Sequence, residues 1–273
     1  MTVLYEKIEL KGLCDKPALL CAYIPDNTRE LDENRRHISV LVCPGGGYSW
    51  CSEREAEPIA LKLAAEGINA FVLNYHCAPD RFPAPMQDAA LAMGYIRAHA
   101  DKYHALPDRV AIMGFSAGGH LAGSMGVLWN KEELWKPLGL PPGMVRPDAM
   151  VLCYPVLTAG DLAHRDSFVN LTGSANPADH QFLSLEKLVD AQTPPAFLWH
   201  TAEDGLVPVQ NSLLFAEALS ENGVLCEMHI YPKGGHGLSL GNSVTAFDPH
   251  EAAHYSSDWF AHAVHFLQDM LPV

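Results

Sequence analysis

Three polar residues of this chain have the types and the chain order that nucleophilic catalysis requires. Ser116, Asp204 and His236 each lie in a loop that directly follows an apolar, strand-like run. A serine hydroxyl attacks a carbonyl carbon only when a base accepts its proton. That base in turn needs a carboxylate that holds its tautomer and stabilises its cationic form. The sequence therefore predicts Ser116 as the nucleophile, His236 as the general base and Asp204 as the acid that orients the base.

Two of these assignments compete with other residues of the same type. Glu203 is an alternative acid, but Asp204 is favoured because it precedes Gly205 and the start of the next predicted helix. The chain has 14 histidines, and only His236 lies between glycines in a loop after a late strand. Glycines allow such a loop to bend, so we expect the imidazole of His236 to reach Ser116.

Backbone amides near the nucleophile must stabilise the oxyanion that forms when serine attacks a carbonyl. One donor is expected from Ala117, the residue after the nucleophile. The other is expected from the Pro-Gly-Gly-Gly-Tyr run at residues 44–48, which follows a buried strand. Its glycines have no side chains to cover their amides. We therefore predict an oxyanion hole formed by Gly46, Ala117 and Gly47.

The surroundings of Ser116 are those of a sharp turn between a strand and a helix. An apolar run at residues 110–113 precedes the turn, and apolar residues at helical spacing follow it from Leu121 onward. Gly114 and Gly118 lie where a side chain would collide with the neighbouring strand and helix. A G-x-S-x-G sequence in this position is typical of the nucleophile elbow of α/β-hydrolases.

Strand and helix patterns alternate along the chain, which predicts an α/β fold, and the elbow-like turn at Ser116 makes the α/β-hydrolase type the expected one. We expect one domain over residues 1–273, with a mainly parallel, twisted sheet covered by helices on both faces. The loops at the carboxyl ends of such strands meet at one edge of the sheet. Residues 157–193 lack a regular pattern and are a candidate lid or pocket wall. Strands are predicted at 3–10 and 17–24 (an antiparallel hairpin), 38–43, 69–75, 110–113, 148–155, 196–200 and 225–231, and the last two helices at 208–222 and about 249–270.

The composition argues against several classes of partner. The chain has 273 residues, 48% of them hydrophobic. Its formal charge of −14 disfavours a nucleic acid or an anionic membrane as a partner. No apolar run approaches the length of a membrane span, and the N-terminus is unlike a signal peptide. Seven cysteines without a C-x-x-C pair are expected to be reduced thiols, which favours a cytoplasmic location. The oligomeric state is left open, a homodimer being one option.

Four segments of the chain match a known family: residues 44–48, Gly-Phe-Ser-Ala-Gly-Gly-His at 114–120, residues 193–204, and Gly-Gly-His-Gly at 234–237. With them the chain resembles, over roughly residues 37–270, esterase/lipase-type α/β-hydrolases with an H-G-G-G oxyanion loop. It is most similar to acetyl esterases and acetyl-xylan-esterase-like proteins. The resemblance implies a Ser–His–Asp triad and ester hydrolysis. Pro44 stands where many relatives have the His of H-G-G-G. Because that His is not an oxyanion donor in the family, the oxyanion hole should be preserved. How the loop is anchored without the His is left undecided by the sequence.

The expected substrate is a small-molecule ester, as the resemblance implies. The most similar members of the family remove acetyl or other short acyl groups from sugars, and this chain has no large apolar cap suited to a long fatty acid. Short-chain acetyl esters, including those of sugars or xylo-oligosaccharides, are therefore predicted. Mixed aromatic and polar side chains suit a sugar ring, and the predicted contacts are Tyr48, Trp50, Arg54, His164, Arg165 and Phe168.

Other functions remain open on the sequence alone. An arylformamidase or a peptidase could use the same triad, although the absence of an N-terminal propeller counts against an oligopeptidase. A catalytically silent hydrolase fold that serves as a binding module is the non-enzymatic alternative. The segment His250-Glu-Ala-Ala-His254 matches the zinc-protease pattern H-E-x-x-H, but Ser257 and Phe260 stand where a metzincin would have Gly and His. We therefore expect no metal and no organic cofactor.

Overall fold

A computed structural model describes residues 2–251 and 253–273 of the chain. Within these ranges eight strands form a single sheet. The strands are β1 (Val3–Leu10), β2 (Ala18–Pro25), β3 (His37–Cys43), β4 (Asn69–Asn74), β5 (Ala105–Phe115), β6 (Met150–Cys153), β7 (Ala196–Thr201) and β8 (Cys226–Tyr231).

The sheet runs from edge to edge in the order β1-β2-β4-β3-β5-β6-β7-β8. Strand β2 is antiparallel to both β1 and β4, and every other neighbouring pair is parallel. This arrangement confirms the predicted α/β-hydrolase fold, including the antiparallel hairpin that opens the chain. Because β3, β5, β6, β7 and β8 are parallel, the loops after them leave the sheet at the same edge.

Helices cover both faces of the sheet. None of those in the described ranges is long and apolar enough to cross a lipid bilayer. The single sheet with a helical layer on each side supports the proposal that the chain folds as one domain. The helices are α1 (Glu57–Ala65), α2 (Ala84–Ala98), α3 (Ala117–Leu128), α4 (Glu132–Trp135), α5 (Pro142–Val145), α6 (Arg165–Thr172), α7 (Gln210–Glu221) and α8 (Trp259–Met270).

Alternate residues of the central strands enter two separate hydrophobic cores. In β5, Val110 and Ile112 pack in the core under α2, α3 and α7, whereas Ala111 and Met113 pack in the core under α1 and α8. All four side chains are inaccessible to solvent. Complete burial of a side chain of the size of Val110, Ile112 or Met113 contributes roughly 1.5–3 kcal/mol. The continuous apolar runs of the sequence therefore correspond to strands that are buried on both faces. Helix α3, which carries Ala117, is itself buried at every position.

The prediction of one helix from about residue 249 is wrong in its first ten residues. Helix α8 begins at Trp259, and two one-turn 3₁₀-helices precede it at Pro249–Glu251 and Tyr255–Asp258. Between them Nδ1 of His254 accepts a hydrogen bond from the backbone N–H of Ser256 at 3.2 Å, which competes with helical bonding. The H-E-x-x-H pattern includes residue 252, which lies outside the described ranges, and its histidines do not share one continuous helix.

Residues 157–193, the predicted lid or pocket wall, contain α6 and two 3₁₀-helices and are tied to the body of the protein. The side-chain oxygen of Asn211 accepts hydrogen bonds from the backbone N–H groups of Leu157 and Thr158, at 2.9 and 3.0 Å. Phe168 and Leu183 are buried in the core. The segment therefore packs as a wall beside the loops at the carboxyl edge of the sheet.

Candidate active site

Ser116 lies on a tight turn between the last residue of β5 and the first residue of α3. Its backbone has φ 52° and ψ −117°, a conformation that L-residues rarely adopt and that costs strain energy. A Cβ atom on Gly114 would lie 2.1 Å from the carbonyl oxygen of Gly118, and one on Gly118 would lie 2.1 Å from that of Cys43. Both flanking glycines are therefore required by close approach of backbone to backbone.

The structure brings together the three residues that the sequence analysis selected as a triad. Oγ of Ser116 lies 2.7 Å from Nε2 of His236, and Nδ1 of His236 lies 2.6 Å from Oδ2 of Asp204. Because an ionised carboxylate only accepts hydrogen bonds, Nδ1 donates to Asp204 and Nε2 accepts the proton of the serine hydroxyl. Glu203, the alternative acid, is exposed, and among the described residues its carboxylate accepts a single, 3.3 Å bond from the backbone N–H of Gly234.

The carboxylate of Asp204 is fully buried, and hydrogen-bond donors lie next to both of its oxygens. Its Oδ1 accepts from the backbone N–H groups of Leu206 and Val207, at 3.0 and 2.9 Å, and Oδ2 lies 3.3 Å from Nε2 of His200. Burial alone would raise the pKa of Asp204, but the hydrogen bonds from His200 and His236 hold that pKa below its ordinary value. Asp204 is therefore ionised at neutral pH, as an orienting acid must be.

The predicted oxyanion loop faces Ser116 across the start of α3. Gly46 and Gly47 have φ values of 122° and 64°, in the region that favours glycine. The loop is fixed through its carbonyl groups, since that of Gly47 accepts from Nδ2 of Asn170 at 2.9 Å. Among the described residues, the N–H groups of Gly46, Gly47 and Ala117 have no protein acceptor. These three amides are therefore available to an oxygen atom of a bound molecule.

The structure also shows how a loop with Pro44 in place of the family's histidine is anchored. The hydroxyl of Tyr75 donates a 2.6 Å hydrogen bond to the carbonyl oxygen of Pro44. The next residue, Gly45, donates its N–H to Oε2 of Glu55 at 2.8 Å. Two buried side chains thus hold the entry to the loop.

A pocket of about 450 Å³ opens over Ser116 and His236. Of the six predicted substrate contacts, Trp50, Arg54 and His164 line it. Burial and the neighbouring His236 lower the pKa of His164, which is therefore neutral at pH 7 and able both to donate and to accept a hydrogen bond. The described lining residues are Gly46, Gly47, Ser49, Trp50, Ser52, Arg54, Glu55, Ser116, His164, Asp166, Asn170, Leu206, His236 and Gly237.

The other three predicted contacts, Tyr48, Arg165 and Phe168, do not line this pocket. Tyr48 is 1% exposed and donates its hydroxyl proton to Nδ1 of His120 at 2.9 Å, behind the oxyanion loop. Phe168 is packed in the core, and the guanidinium of Arg165 donates to the backbone carbonyls of residues 159 and 160. The types of these three residues suit contacts with a sugar. Which side chains reach the pocket depends, however, on how α6 and the loop at residues 44–48 are packed.

Several lining residues were missed by the sequence analysis. Asp166 and Asn170 lie four residues apart on α6, so helical spacing after His164 would have placed both on one face. Glu55 is a buried acidic residue in a short helical turn, and no sequence signal pointed to it, since its partners Gly45 and Tyr154 come from other loops. No local pattern marks a side chain whose partner comes from another part of the chain.

One group of potential metal ligands occurs among the described residues, and it lies away from the pocket. Glu227 and His229 of β8 and His262 of α8 have ligand atoms within 4.8 Å of one another. In this structure Nε2 of His229 is hydrogen-bonded to Oε1 of Glu227 at 2.8 Å. None of the three residues belongs to the lining of the pocket.

Comparison with known proteins identifies the family. The BD-FAE family model matches residues 28–219. The endo-1,4-beta-xylanase B of Butyrivibrio fibrisolvens is 41% identical over 214 residues, which are 74% of this chain and 33% of that protein. The acetylxylan esterase of Xylanibacter ruminicola is 30% identical over 247 residues, which are 88% of this chain and 46% of that protein. The chain thus spans between a third and a half of the length of these two relatives.

Two solved structures match this chain along almost its whole length. An acetyl ester-xyloside bifunctional hydrolase from Caldicellulosiruptor lactoaceticus is 35% identical with a TM-score of 0.82, over 97% of this chain and 96% of that one. The carboxylesterase Cest-2923 from Lactobacillus plantarum is 27% identical with a TM-score of 0.84, over the whole of both chains. This chain therefore belongs to the BD-FAE family and is an α/β-hydrolase of the esterase/lipase type.

Proposed function

We propose that this chain is a serine carboxylic-ester hydrolase that acts through an acyl-enzyme. The observation that carries the proposal is the hydrogen-bonded series Ser116–His236–Asp204, which opens into a pocket beside three unpaired backbone amides. A nucleophile, a base, an orienting acid and oxyanion donors are the parts that acyl transfer requires. The names of the esterases among its relatives support the same reaction.

In the proposed reaction Oγ of Ser116 attacks the ester carbonyl carbon while its proton passes to Nε2 of His236. Asp204 stabilises the imidazolium that forms, and the amides of Gly46, Gly47 and Ala117 bind the oxyanion. When the tetrahedral intermediate collapses, the C–O bond to the alcohol breaks and His236 returns the proton to the leaving oxygen. Water then attacks the acyl-enzyme with His236 as base, which releases the acid and restores Ser116.

We propose short-chain acyl esters of sugars as the substrate class. Trp50 is 62% exposed at the pocket, where its indole ring could stack on a sugar ring. Asp166, Asn170 and the neutral His164 supply hydrogen-bonding groups for hydroxyls on the adjacent wall. The similarity to an acetylxylan esterase and to an acetyl ester-xyloside hydrolase supports this choice over a long-chain lipase.

The first experiment measures hydrolysis of p-nitrophenyl acetate, butyrate and octanoate by the wild type and by Ser116→Ala. We expect a preference for acetate in the wild type and loss of activity in the variant. Stoichiometric labelling of Ser116 by a fluorophosphonate distinguishes an enzyme from a silent binding module, which would not react. Activity that survives in Ser116→Ala would refute the mechanism, and faster cleavage of p-nitrophenyl amides than of esters would favour the amidase alternatives.

The sugar proposal is tested with Trp50→Ala on acetylated xylo-oligosaccharides. We expect KM for the oligosaccharide to rise about tenfold, whereas KM for p-nitrophenyl acetate, which has no sugar ring to stack on the indole, should change little. Phe182→Ala is the matched control, since Phe182 is 53% exposed and lies outside the pocket lining. Equal KM values for the oligosaccharide in Trp50→Ala and the wild type would contradict the stacking role.

We also propose a cytoplasmic location. All seven cysteines are free thiols, and Cys21, Cys43 and Cys153 are buried. Unpaired thiols are kept reduced in the cytosol. Fractionation of the producing cells with an antibody to this chain tests the proposal, and its recovery from the medium or the cell envelope would contradict it.

A further inference from the structure

Glu55 is a buried carboxylate beside the proposed catalytic residues, with no part in the reaction as derived above. It ends a one-turn 3₁₀-helix, Glu53–Glu55, and is 5% exposed. Its Oε2 accepts the backbone N–H of Gly45 at 2.8 Å, and its Oε1 accepts the hydroxyl of Tyr154 at 2.6 Å. Each of its two oxygens thus accepts one hydrogen bond.

The bond to Gly45 controls the direction of an oxyanion donor. Glu55 holds the N–H of Gly45, and the carbonyl oxygen of Gly45 accepts the N–H of Ser52 at 3.0 Å. In a trans peptide the C=O and the following N–H point in opposite directions. The N–H of Gly46 is therefore directed away from Ser52, and this orientation depends on Gly45 being held at both ends.

The bond to Tyr154 reaches the loop that carries the base. The hydroxyl of Tyr154 accepts the backbone N–H of Ser239, three residues after His236, at 3.0 Å. The ring of Tyr154 also packs edge-on against the imidazole of His236, with 5.1 Å between ring centres. One carboxylate thus joins the oxyanion loop to the loop of the general base.

A carboxylate in this place carries a cost that a neutral side chain would avoid. A buried charge is disfavoured unless it is paired, and among the described residues Glu55 forms no ion pair. Arg54, its neighbour in the chain, is directed instead to the carbonyl of Thr245 and the carboxylate of Glu251. Two donors converge on Glu55 from two loops of the proposed active site, and its carboxyl group offers one acceptor oxygen to each of them.

We propose that Glu55 is a positioning residue, which holds the Gly46 amide and the His236 ring in register with Ser116. The inference rests on the proposed esterase function. Glu55 acts through Gly45 and Tyr154, so its removal should displace groups that act on the transition state while leaving the outer pocket intact. A displacement of about 1 Å in such groups lowers rates up to about a hundredfold. We therefore expect an effect on kcat with little effect on KM.

The test compares Glu55→Gln and Tyr154→Phe with the wild type on p-nitrophenyl acetate. Glu55→Gln keeps the size but places an NH₂ group against one of the two donors, and we expect roughly a ten- to hundredfold lower kcat with KM within about threefold. Tyr154→Phe keeps the bond to Gly45 and should lose less. The matched control is Asp88→Asn: Asp88 is also buried and accepts from the N–H and the Nδ1 of His76, outside the pocket lining.

The outcomes separate this inference from the proposed function. If Ser116→Ala is inactive and Glu55→Gln keeps kcat within twofold of the wild type, the positioning role is refuted and the esterase stands. If Asp88→Asn lowers kcat as much as Glu55→Gln at the same loss of unfolding free energy, Glu55 contributes only to stability and the inference fails. A wild type without esterase activity refutes the function itself. Should Glu55→Gln not fold, a kcat decrease in Tyr154→Phe supports the role and an unchanged kcat overturns it.

Discussion

Replacement of Asp204 by asparagine is expected to exchange the proton between the two nitrogens of His236. Oδ1 of Asp204 accepts the N–H groups of Leu206 and Val207, so the amide oxygen of asparagine must occupy that place. The NH₂ group then faces Nδ1 of His236, where Oδ2 lies now at 2.6 Å. Because an NH₂ group only donates, Nδ1 becomes the acceptor and the proton moves to Nε2. A protonated Nε2 cannot accept the proton of Ser116.

The expected loss is large and lies in kcat. The same exchange in a serine-protease triad lowers kcat by about 10⁴ through the wrong tautomer. A loss of roughly 10³–10⁴ corresponds to about 4–5.5 kcal/mol of transition-state stabilisation, at about 1.4 kcal/mol for each factor of ten. KM should change little, because Asp204 does not line the pocket. Initial rates with p-nitrophenyl acetate, over a range of substrate concentrations, measure both constants.

Glu203→Gln is the matched control, because it removes the neighbouring carboxylate, which is exposed and contacts only the N–H of Gly234. Its kcat should stay within about twofold of the wild type, since an exposed group of this kind contributes little. An Asp204→Asn enzyme that keeps more than a tenth of the wild-type kcat would refute the reasoning. So would a Glu203→Gln enzyme that loses as much as Asp204→Asn.

Three further predictions concern the framework behind Ser116. Gly118→Ala puts a Cβ atom 2.3 Å from the carbonyl oxygen of Pro44 and should lower the free energy of unfolding by about 3 kcal/mol in urea denaturation, whereas Gly143→Ala, which meets nothing within 4 Å, should not. Burial lowers the pKa of His120 from 6.5 to about 4, so the neutral form stabilises the fold above pH 6.5. That stability should decline as the pH falls from about 6.5 toward 4, and His120→Gln should flatten this part of the pH profile; an unchanged profile would contradict it. Tyr75→Phe removes the hydrogen bond to Pro44 and should cost about 1–2 kcal/mol of unfolding free energy, while an unchanged midpoint would exclude that anchor.

The fold was largely predictable because its signals are local. Runs such as residues 38–43 and 196–200 are apolar at every position but one, as is typical of strands buried on both faces, and the structure places strands there. The start of α8 was not predictable in this way. Residues 249–258 have a composition compatible with a helix, but the side chain of His254 accepts the backbone N–H of Ser256 as the N-cap of a separate 3₁₀-helix, and the α-helix begins only at Trp259.

The candidate site residues also differ in whether a local sequence signal marks them. Ser116, Asp204 and His236 were selected because each follows a strand, and the carboxyl ends of parallel strands meet at one edge of a sheet. Trp50 reaches the pocket, whereas Tyr48, two residues earlier, turns inward to His120. Residue type alone does not distinguish the two, since the direction of each side chain depends on how the loop packs.

The sequence by itself determined the order of the strands along the chain, the glycine-flanked turn at Ser116 and the choice of Ser116, Asp204 and His236 as candidate triad residues, because these depend on residue type and on neighbours close in the chain. Only the tertiary structure decided that the carboxylate of Glu55 accepts hydrogen bonds from both Gly45 and Tyr154. Tyr154 lies 99 residues after Glu55 in the chain. Hydrogen bonds between distant segments form only where packing of the two cores brings those segments within about 3 Å. Their geometry is a property of the whole fold, and no local pattern carries it.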